Sequence, residues 1–207
     1  MQKGHAPSWR LMTDAPIDLN FAIYVACSFD LLQYTPPFRR KQLWSAYHPK
    51  AFSEEEHQLL AWQWQQLWNE LVIDRTRFLQ NGIRERWSHF FASEGYFDGM
   101  VMPLRERCEV VFPSFIEWWG MPAGGQQGVN YWDLWGDVSG RFLLKVKQVE
   151  TEIGRPVQPF ALAVDYLYTG LGSILEINVN YAIMSVHHPR LTVRNREWWL
   201  AKVRELA

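Results

Sequence analysis

The chain has 207 residues, 48% of them hydrophobic and 21% charged, which is enough apolar sequence to bury a core and excludes a disordered protein. Its formal net charge of -1 provides no overall basic field to attract nucleic acid or an anionic membrane. Residues 1–7 begin no apolar signal segment, and no apolar run approaches the roughly 18 residues of a spanning helix. We therefore expect one cytoplasmic domain over residues 1–207, without a membrane or nucleic-acid partner.

The first two predicted elements lie in the amino-terminal half. Residues 17–32 form an apolar segment whose periodicity does not separate a buried helix from a strand. Ser53 and Glu56 form a capping box, and apolar residues then recur at helical spacing, which predicts a helix over 53–80. A second helical pattern follows after residue 83, so we assign a helical portion to residues 53–93. Arg75 interrupts the apolar stripe and is interpreted as a side chain that extends past it to solvent, with an inward charge in a site as the alternative.

Tryptophan is unusually frequent, with 12 in the chain, and most occur in clusters that favour core packing, with interfaces as the alternative. Trp62 and Ile73 lie away from the apolar stripe of the predicted helix. A helix that is apolar on two sides is unstable in water unless both sides are covered. We therefore predict a homodimer. Cys27 and Cys108 are far apart in sequence and are interpreted as buried free thiols, with a disulfide or a reactive thiol as the alternatives.

Residues 99–115 are strand-like, with two apolar runs on either side of Arg105 and Arg107. On a strand these two arginines share a face, where they serve a solvated turn or contact phosphate. A glycine-rich stretch follows, and it is either a connector or a mobile loop whose backbone N–H groups cradle phosphate. Its glycines are Gly124, Gly125 and Gly128.

The carboxy-terminal third is predicted to contain a helix over 139–153, a β-hairpin and a closing helix over 195–206. The hairpin joins residues 160–168 to residues 173–181 through a Gly-containing turn. Glu176 and Asn178 are two residues apart and point to one face of their strand, and pairing brings Asp165 opposite them. Carboxylate and amide oxygens that converge in this way are ligands for magnesium or manganese.

Residues 138–181 resemble the carboxy-terminal part of the ATP-grasp ligases, in which a helix leads into a strand bearing Asp and then into a strand ending in Glu-x-Asn. The matching residues are Asp165, Glu176 and Asn178. The resemblance implies that these three hold Mg2+ ions bridging the phosphates of ATP. It also implies a ligase that activates the carboxylate of a small-molecule substrate for attack by an amine. The chain is short for the complete family fold, which implies a reduced or divergent version.

In such a ligase, phosphate would be neutralised by Arg105, Arg107 or Lys145 and cradled by the glycine-rich loop. Two other functions stay open. Asp and Glu on adjacent strands also resemble the PD-(D/E)xK nucleases, although Val164 replaces the Pro and Asn178 stands in place of the Lys. Alternatively, the polar strand residues are structural, and the Trp-rich surfaces make the chain a non-catalytic interaction protein.

The predicted fold is α+β, with the helical layer of residues 53–93 packed on a mostly antiparallel sheet formed from residues 99–181.

Overall fold

A computed structural model describes residues 9–34, 52–81, 97, 99–121, 134–168, 174–185 and 193–207. Within these residues the chain forms five α-helices, a short 3-10 helix and a four-stranded sheet, in agreement with the predicted α+β class. The elements in chain order are β1 (Trp9–Asp14), α1 (Ile17–Ser28), the 3-10 helix (Leu31–Tyr34), α2 (Glu54–Asn81), α3 (Leu104–Gly120), α4 (Leu134–Ile153), β2 (Phe160–Leu167), β3 (Leu175–Asn178), β4 (Tyr181–Ser185) and α5 (Val193–Leu206).

The sheet is mixed and has the strand order β1-β2-β4-β3. Strands β1, β2 and β4 are parallel, and β3 is antiparallel to β4. The expectation of a mostly antiparallel sheet drawn from residues 99–181 is therefore wrong. Strand β2 is buried on both faces from Leu162 to Leu167, as interior strands of parallel sheets are. A continuous apolar run of this kind does not reveal which strands lie beside it.

The predicted hairpin between residues 160–168 and 173–181 is also wrong, because β4 lies between β2 and β3. The second apolar run is split into two strands by a turn at Val179 and Asn180. The side-chain oxygen of Asn178 accepts a hydrogen bond from the backbone N–H of Asn180 at 2.8 Å, which stabilises this turn. The hairpin that does form joins β3 to β4.

Helices cover both faces of the sheet. On the three-helix face, α1, α2 and α3 pack against the sheet residues Ala163, Leu167, Tyr181 and Ile183. On the two-helix face, α4 and α5 pack against Leu162, Val164, Tyr166 and Met184. Neighbouring residues of β2 and β4 thus alternate between two separate apolar cores.

The helix predicted over residues 53–80 is confirmed as α2. Its capping box is formed: the Ser53 N–H donates to Glu56 at 2.9 Å, and the Glu56 N–H donates to the Ser53 hydroxyl at 3.2 Å. The segment over 17–32, which the sequence left open, contains α1. The second helical pattern, from residue 83, lies outside the described residues.

The strand prediction for residues 99–115 is wrong, because residues 104–120 form α3. Its buried residues recur every three or four positions, at Leu104, Cys108, Val111 and Phe115. Apolar residues between them, such as Val110, are exposed. A run of adjacent apolar residues favours a strand by its pattern, but in the run 110–112 the neighbours Val111 and Phe112 both pack against the core, which is helical and not alternating spacing.

The remaining helices agree with the sequence in position. Helix α4 begins five residues before the predicted start at Ser139, and α5 begins two residues before the predicted Asn195. Several Trp residues serve the core as expected: Trp64 is fully buried, stacks on Trp68 at 5.8 Å and donates its indole N–H to the Ala22 carbonyl. Cys27 and Cys108 are not joined in a disulfide, and the expected burial holds for Cys108, whereas Cys27 is half-buried. None of the helices among the described residues has an apolar stretch long enough to span a membrane.

Candidate functional site

Asp165 lies in β2 on the three-helix face, inside a buried polar cluster. Arg75 of α2 donates from Nε to one carboxylate oxygen at 2.8 Å and from Nη2 to the other at 2.7 Å. Tyr181 of β4 adds a third bond, donated by its hydroxyl at 2.8 Å. Both charged side chains are almost fully buried, with 5% of Arg75 and 1% of Asp165 exposed. Asp165 is therefore fully occupied by protein donors.

Asp14, the last residue of β1, connects this cluster to solvent. Its carboxylate accepts a bond from Arg75 Nη2 at 2.9 Å, and 43% of its side chain is exposed. The third guanidinium nitrogen, Arg75 Nη1, is buried and has no hydrogen-bond partner among the described residues. The guanidinium thus joins α2 to two strands, through Asp14 of β1 and Asp165 of β2, and Asp165 is bonded in turn to Tyr181 of β4. Arg75 is thus an inward charge, and the interpretation of it as a side chain reaching solvent is wrong.

The electrostatics of this cluster follow from its burial. Burial raises the pKa of the Asp165 carboxyl, and the hydrogen bonds from Arg75 and Tyr181 oppose that effect. Burial also opposes the charge of Arg75, but Asp165 outweighs it and raises the pKa of the guanidinium. Burial, together with the adjacent Asp165 charge, raises the pKa of the Tyr181 hydroxyl well above its usual value. Tyr181 is therefore held as a proton donor at neutral pH.

Glu176 lies on the opposite, two-helix face. It pairs with Ala182 of β4, whereas Leu175 and Asp165 both pair with Ile183. Its carboxylate accepts bonds from the ammonium of Lys202 and from the indole N–H of Trp198, the latter at 2.7 Å. The Lys202 hydrogen bond lowers the pKa of Glu176, against the effect of its partial burial. Glu176 thus ties the edge strand β3 to α5.

Lys202 is an almost fully buried cation, with 3% of its side chain exposed. It also donates to Glu205 at 2.6 Å, so two carboxylates neutralise it. Burial opposes the charge of Lys202, but its bonds to these carboxylates outweigh burial and raise the pKa of the ammonium. The arrangement satisfies a buried cation, which is a structural task.

The three predicted metal ligands thus occupy separate environments. Asp165 faces the three-helix core, Glu176 faces α5, and Asn178 accepts a hydrogen bond from its own turn. A register shift between Glu176 and Asn178 places them opposite consecutive residues of β4, Ala182 and Tyr181. Within the described residues no three His, Cys, Asp or Glu side chains are grouped so as to hold a metal ion.

The residues predicted to contact phosphate are separated as well. Arg105 and Arg107 lie on α3, where Arg105 donates to Glu109 at 2.8 Å and Arg107 stacks over the Phe52 ring at 4.9 Å. Lys145 lies half-buried on α4, which covers the other face of the sheet. The loop glycines Gly124, Gly125 and Gly128 lie outside the described residues. The structure therefore does not bring these three basic residues together.

A different surface is exposed on α2. We define the α2 seam as Leu59, Trp62, Gln66, Asn69 and Ile73, which recur at alternating three- and four-residue spacing and are all exposed. Trp62 is 60% exposed and Ile73 is 51% exposed. The buried side of the helix, including Trp64 and Leu71, faces the three-helix core. The seam itself contains no charged residue, but the exposed Glu70 lies beside it between Gln66 and Ile73, and other charges occur near both ends of α2.

Sequence reasoning missed the partners of the polar strand residues. Arg75 was detectable as a charge within an apolar stripe, and Asp165 as a charge within an apolar strand. A buried charge needs a partner of opposite charge, and the simplest partner for each of these two residues is the other one. Lys202 carried a weaker signal, one turn after Trp198 in a helix with apolar and polar sides. No local pattern indicated that it binds Glu176.

The chain was compared with protein-family models, with curated proteins and with solved structures, and no significant match was found, so the ATP-grasp resemblance stays a hypothesis from sequence.

Proposed function

We propose that this chain is a non-catalytic protein-interaction domain that binds through the α2 seam. The observation that carries the proposal is the exposed Trp62, which lies between Leu59 and Gln66 in a row of five exposed uncharged residues, with the charge of Glu70 at the edge of this row. Protein interfaces are depleted of charge at their centres and enriched in Trp, which supplies a large contact area at low entropic cost. The seam has this composition.

The polar residues of the strands support the same proposal. Asp165 is bound by Arg75 and Tyr181, and Glu176 by Lys202 and Trp198. A metal at either carboxylate would compete with the buried cation already bound there, which would keep only its second carboxylate, Asp14 for Arg75 and Glu205 for Lys202. These residues are accounted for by the stability of the fold. The ligase and nuclease hypotheses stay predictions from sequence, and nucleotide and metal binding tests them separately.

A photo-reactive amino acid at position 62 tests the proposal in the cells that produce the chain. We expect a discrete cross-linked adduct on illumination, because the seam is occupied. The matched control places the same amino acid at position 144, since Leu144 is 64% exposed on α4, across the sheet from α2. A defined adduct at 62 with none at 144 supports binding through the seam. Equal diffuse labelling at both positions, or none at either, would overturn it.

A further inference from the structure

Four of the five residues of the α2 seam are placed symmetrically about a point midway between Gln66 and Asn69. Trp62 lies four residues before Gln66, and Ile73 lies four residues after Asn69. Because 11 residues make about three helical turns, Trp62 and Ile73 lie on nearly the same line along the helix. If a second α2 runs antiparallel about a two-fold axis between Gln66 and Asn69, each Trp62 meets an Ile73. The same register brings Gln66 opposite Asn69 and Leu59 opposite Thr76.

We infer that the α2 seam binds a second copy of this chain, with the two α2 helices antiparallel in this register. The inference rests on the proposed function and names its partner. A surface that pairs with itself under a two-fold axis forms the commonest kind of protein dimer. The spacing also matches a coiled-coil seam, in which knobs alternate every three and four residues. A large indole against a β-branched side chain fills the space in the two layers where Trp62 meets Ile73.

The charges at the ends of α2 are complementary in this arrangement. The first turn carries Glu54, Glu55 and Glu56, and Arg77 is exposed near the other end. Antiparallel packing brings the acidic turn of one copy beside Arg77 of the other, twice in each dimer. Parallel packing would instead align like charges, which is unfavourable. Charge therefore favours the antiparallel orientation over the parallel one.

The central layer gives the dimer its register. Gln66 and Asn69 are exposed amides, and the Asn69 oxygen accepts from Gln65 of its own helix at 3.3 Å, so its amide N–H donates to Gln66 across the axis. A shift by one heptad would place these polar groups against Ile73 or Trp62. A polar layer in an otherwise apolar seam is known to specify register at some cost in affinity. Because α2 is about 42 Å long, the contact between two such helices is narrow. We expect a dimer of micromolar rather than nanomolar affinity, in line with interfaces at the small end of the range.

Sedimentation of the purified chain across micromolar concentrations tests the inference. We expect the mass to rise from 24.5 kDa toward twice that value with concentration. Trp62→Glu should abolish the rise, and Leu144→Glu, the matched control on α4, should leave it unchanged. A wild-type chain that stays at 24.5 kDa overturns the inference. If position 62 nevertheless cross-links in cells to a protein of another mass, the seam still binds a partner, and the proposed function stands although the dimer is refuted.

A pair of charge variants tests the register. Gln66→Lys/Asn69→Lys and Gln66→Glu/Asn69→Glu each place like charges across the axis, so each should sediment as a monomer. Mixed in equal amounts they should form a heterodimer, because opposite charges then meet. These residues are exposed, so thermal melting should show both variants folded. Self-association of either variant alone, or failure of the mixture to associate while the wild type dimerises, would overturn this register.

Discussion

The buried pair of Arg75 and Asp165 gives the sharpest stability prediction. In Arg75→Met the apolar stem stays, but Asp165 loses both guanidinium bonds and retains the Tyr181 hydroxyl. A carboxylate left in the core avoids its charge by taking up a proton. With an unfolded pKa of about 3.9, protonation at pH 7 costs up to about 4 kcal/mol, at about 1.36 kcal/mol per pH unit. That cost sets the expected loss of unfolding free energy.

The sign of the pH dependence follows from proton binding. The folded variant holds a proton that the unfolded chain has released, so its stability falls as pH rises above the unfolded pKa. Between pH 7 and pH 5 the deficit relative to wild type should shrink by up to about 2.7 kcal/mol. Arg75→Met/Asp165→Leu removes the carboxyl, so its deficit should not vary with pH and should be smaller than the sum of the single losses.

Urea denaturation at pH 5 and pH 7 measures both effects. The matched control is Arg204→Met, which breaks an exposed pair with Glu152 and should change neither stability nor its pH dependence resolvably. A deficit for Arg75→Met that is equal at the two pH values, or below about 1 kcal/mol at pH 7, would refute the argument from a buried ion pair.

Three further predictions concern Glu176, nucleotide binding and the thiols. The Lys202 hydrogen bond lowers the pKa of Glu176 in the folded protein. The hydrogen bond therefore contributes to stability above the unfolded pKa of about 4.3, and this contribution is lost as pH falls below that value. Glu176→Gln should be less stable than wild type at pH 7 in EDTA, and the difference in stability should narrow below pH ~4. A variant as stable as wild type would count against a stabilising bond between Glu176 and Lys202. Millimolar Mg2+ with an ATP analogue should leave the melting temperature of the wild type unchanged, whereas a rise that Glu176→Gln abolishes would favour the ligase hypothesis. Burial raises the pKa of the Cys108 thiol, so a Cys27→Ser variant should react with a thiol reagent only on unfolding, and fast reaction of the folded variant would contradict the burial of Cys108.

Sequence patterns predicted those helix boundaries that are set by contacts between residues close together in the chain. Ser53 and Glu56 bond to each other within one turn, so the start of α2 was readable from four residues. The sheet order depends on β1, which contacts β2 from about 150 residues away in sequence, and no pattern within β1 indicates that contact. The strand prediction at residues 99–115 failed because two adjacent valines look alike in sequence, whereas only Val111 faces the core.

Only part of the candidate site was predictable, because the carboxylates stand out in the local sequence whereas their partners are distant in the chain. Asp165 and Glu176 were recognised as unusual, but their assumed neighbourhood depended on a hairpin that does not form. Which cation satisfies each carboxylate is decided by packing: Arg75 precedes Asp165 by 90 residues, and Lys202 follows Glu176 by 26. The sequence indicated which carboxylates need a cation. Only the fold showed which cation each of them binds.

The inner side of α2 is fastened to three different elements. Gln63 bonds the turn before α3, Trp64 bonds the carbonyl of Ala22 in α1, and Arg75 holds two strands of the sheet. Arg75 lies 11 to 12 residues beyond the adjacent Gln63 and Trp64, so the helix between these points has little freedom to bend or roll. A partner that docks on the outer side meets a surface already in its bound shape and loses little conformational entropy in ordering it. Loosening the Arg75 attachment should therefore weaken binding at Trp62 without altering any residue that touches the partner.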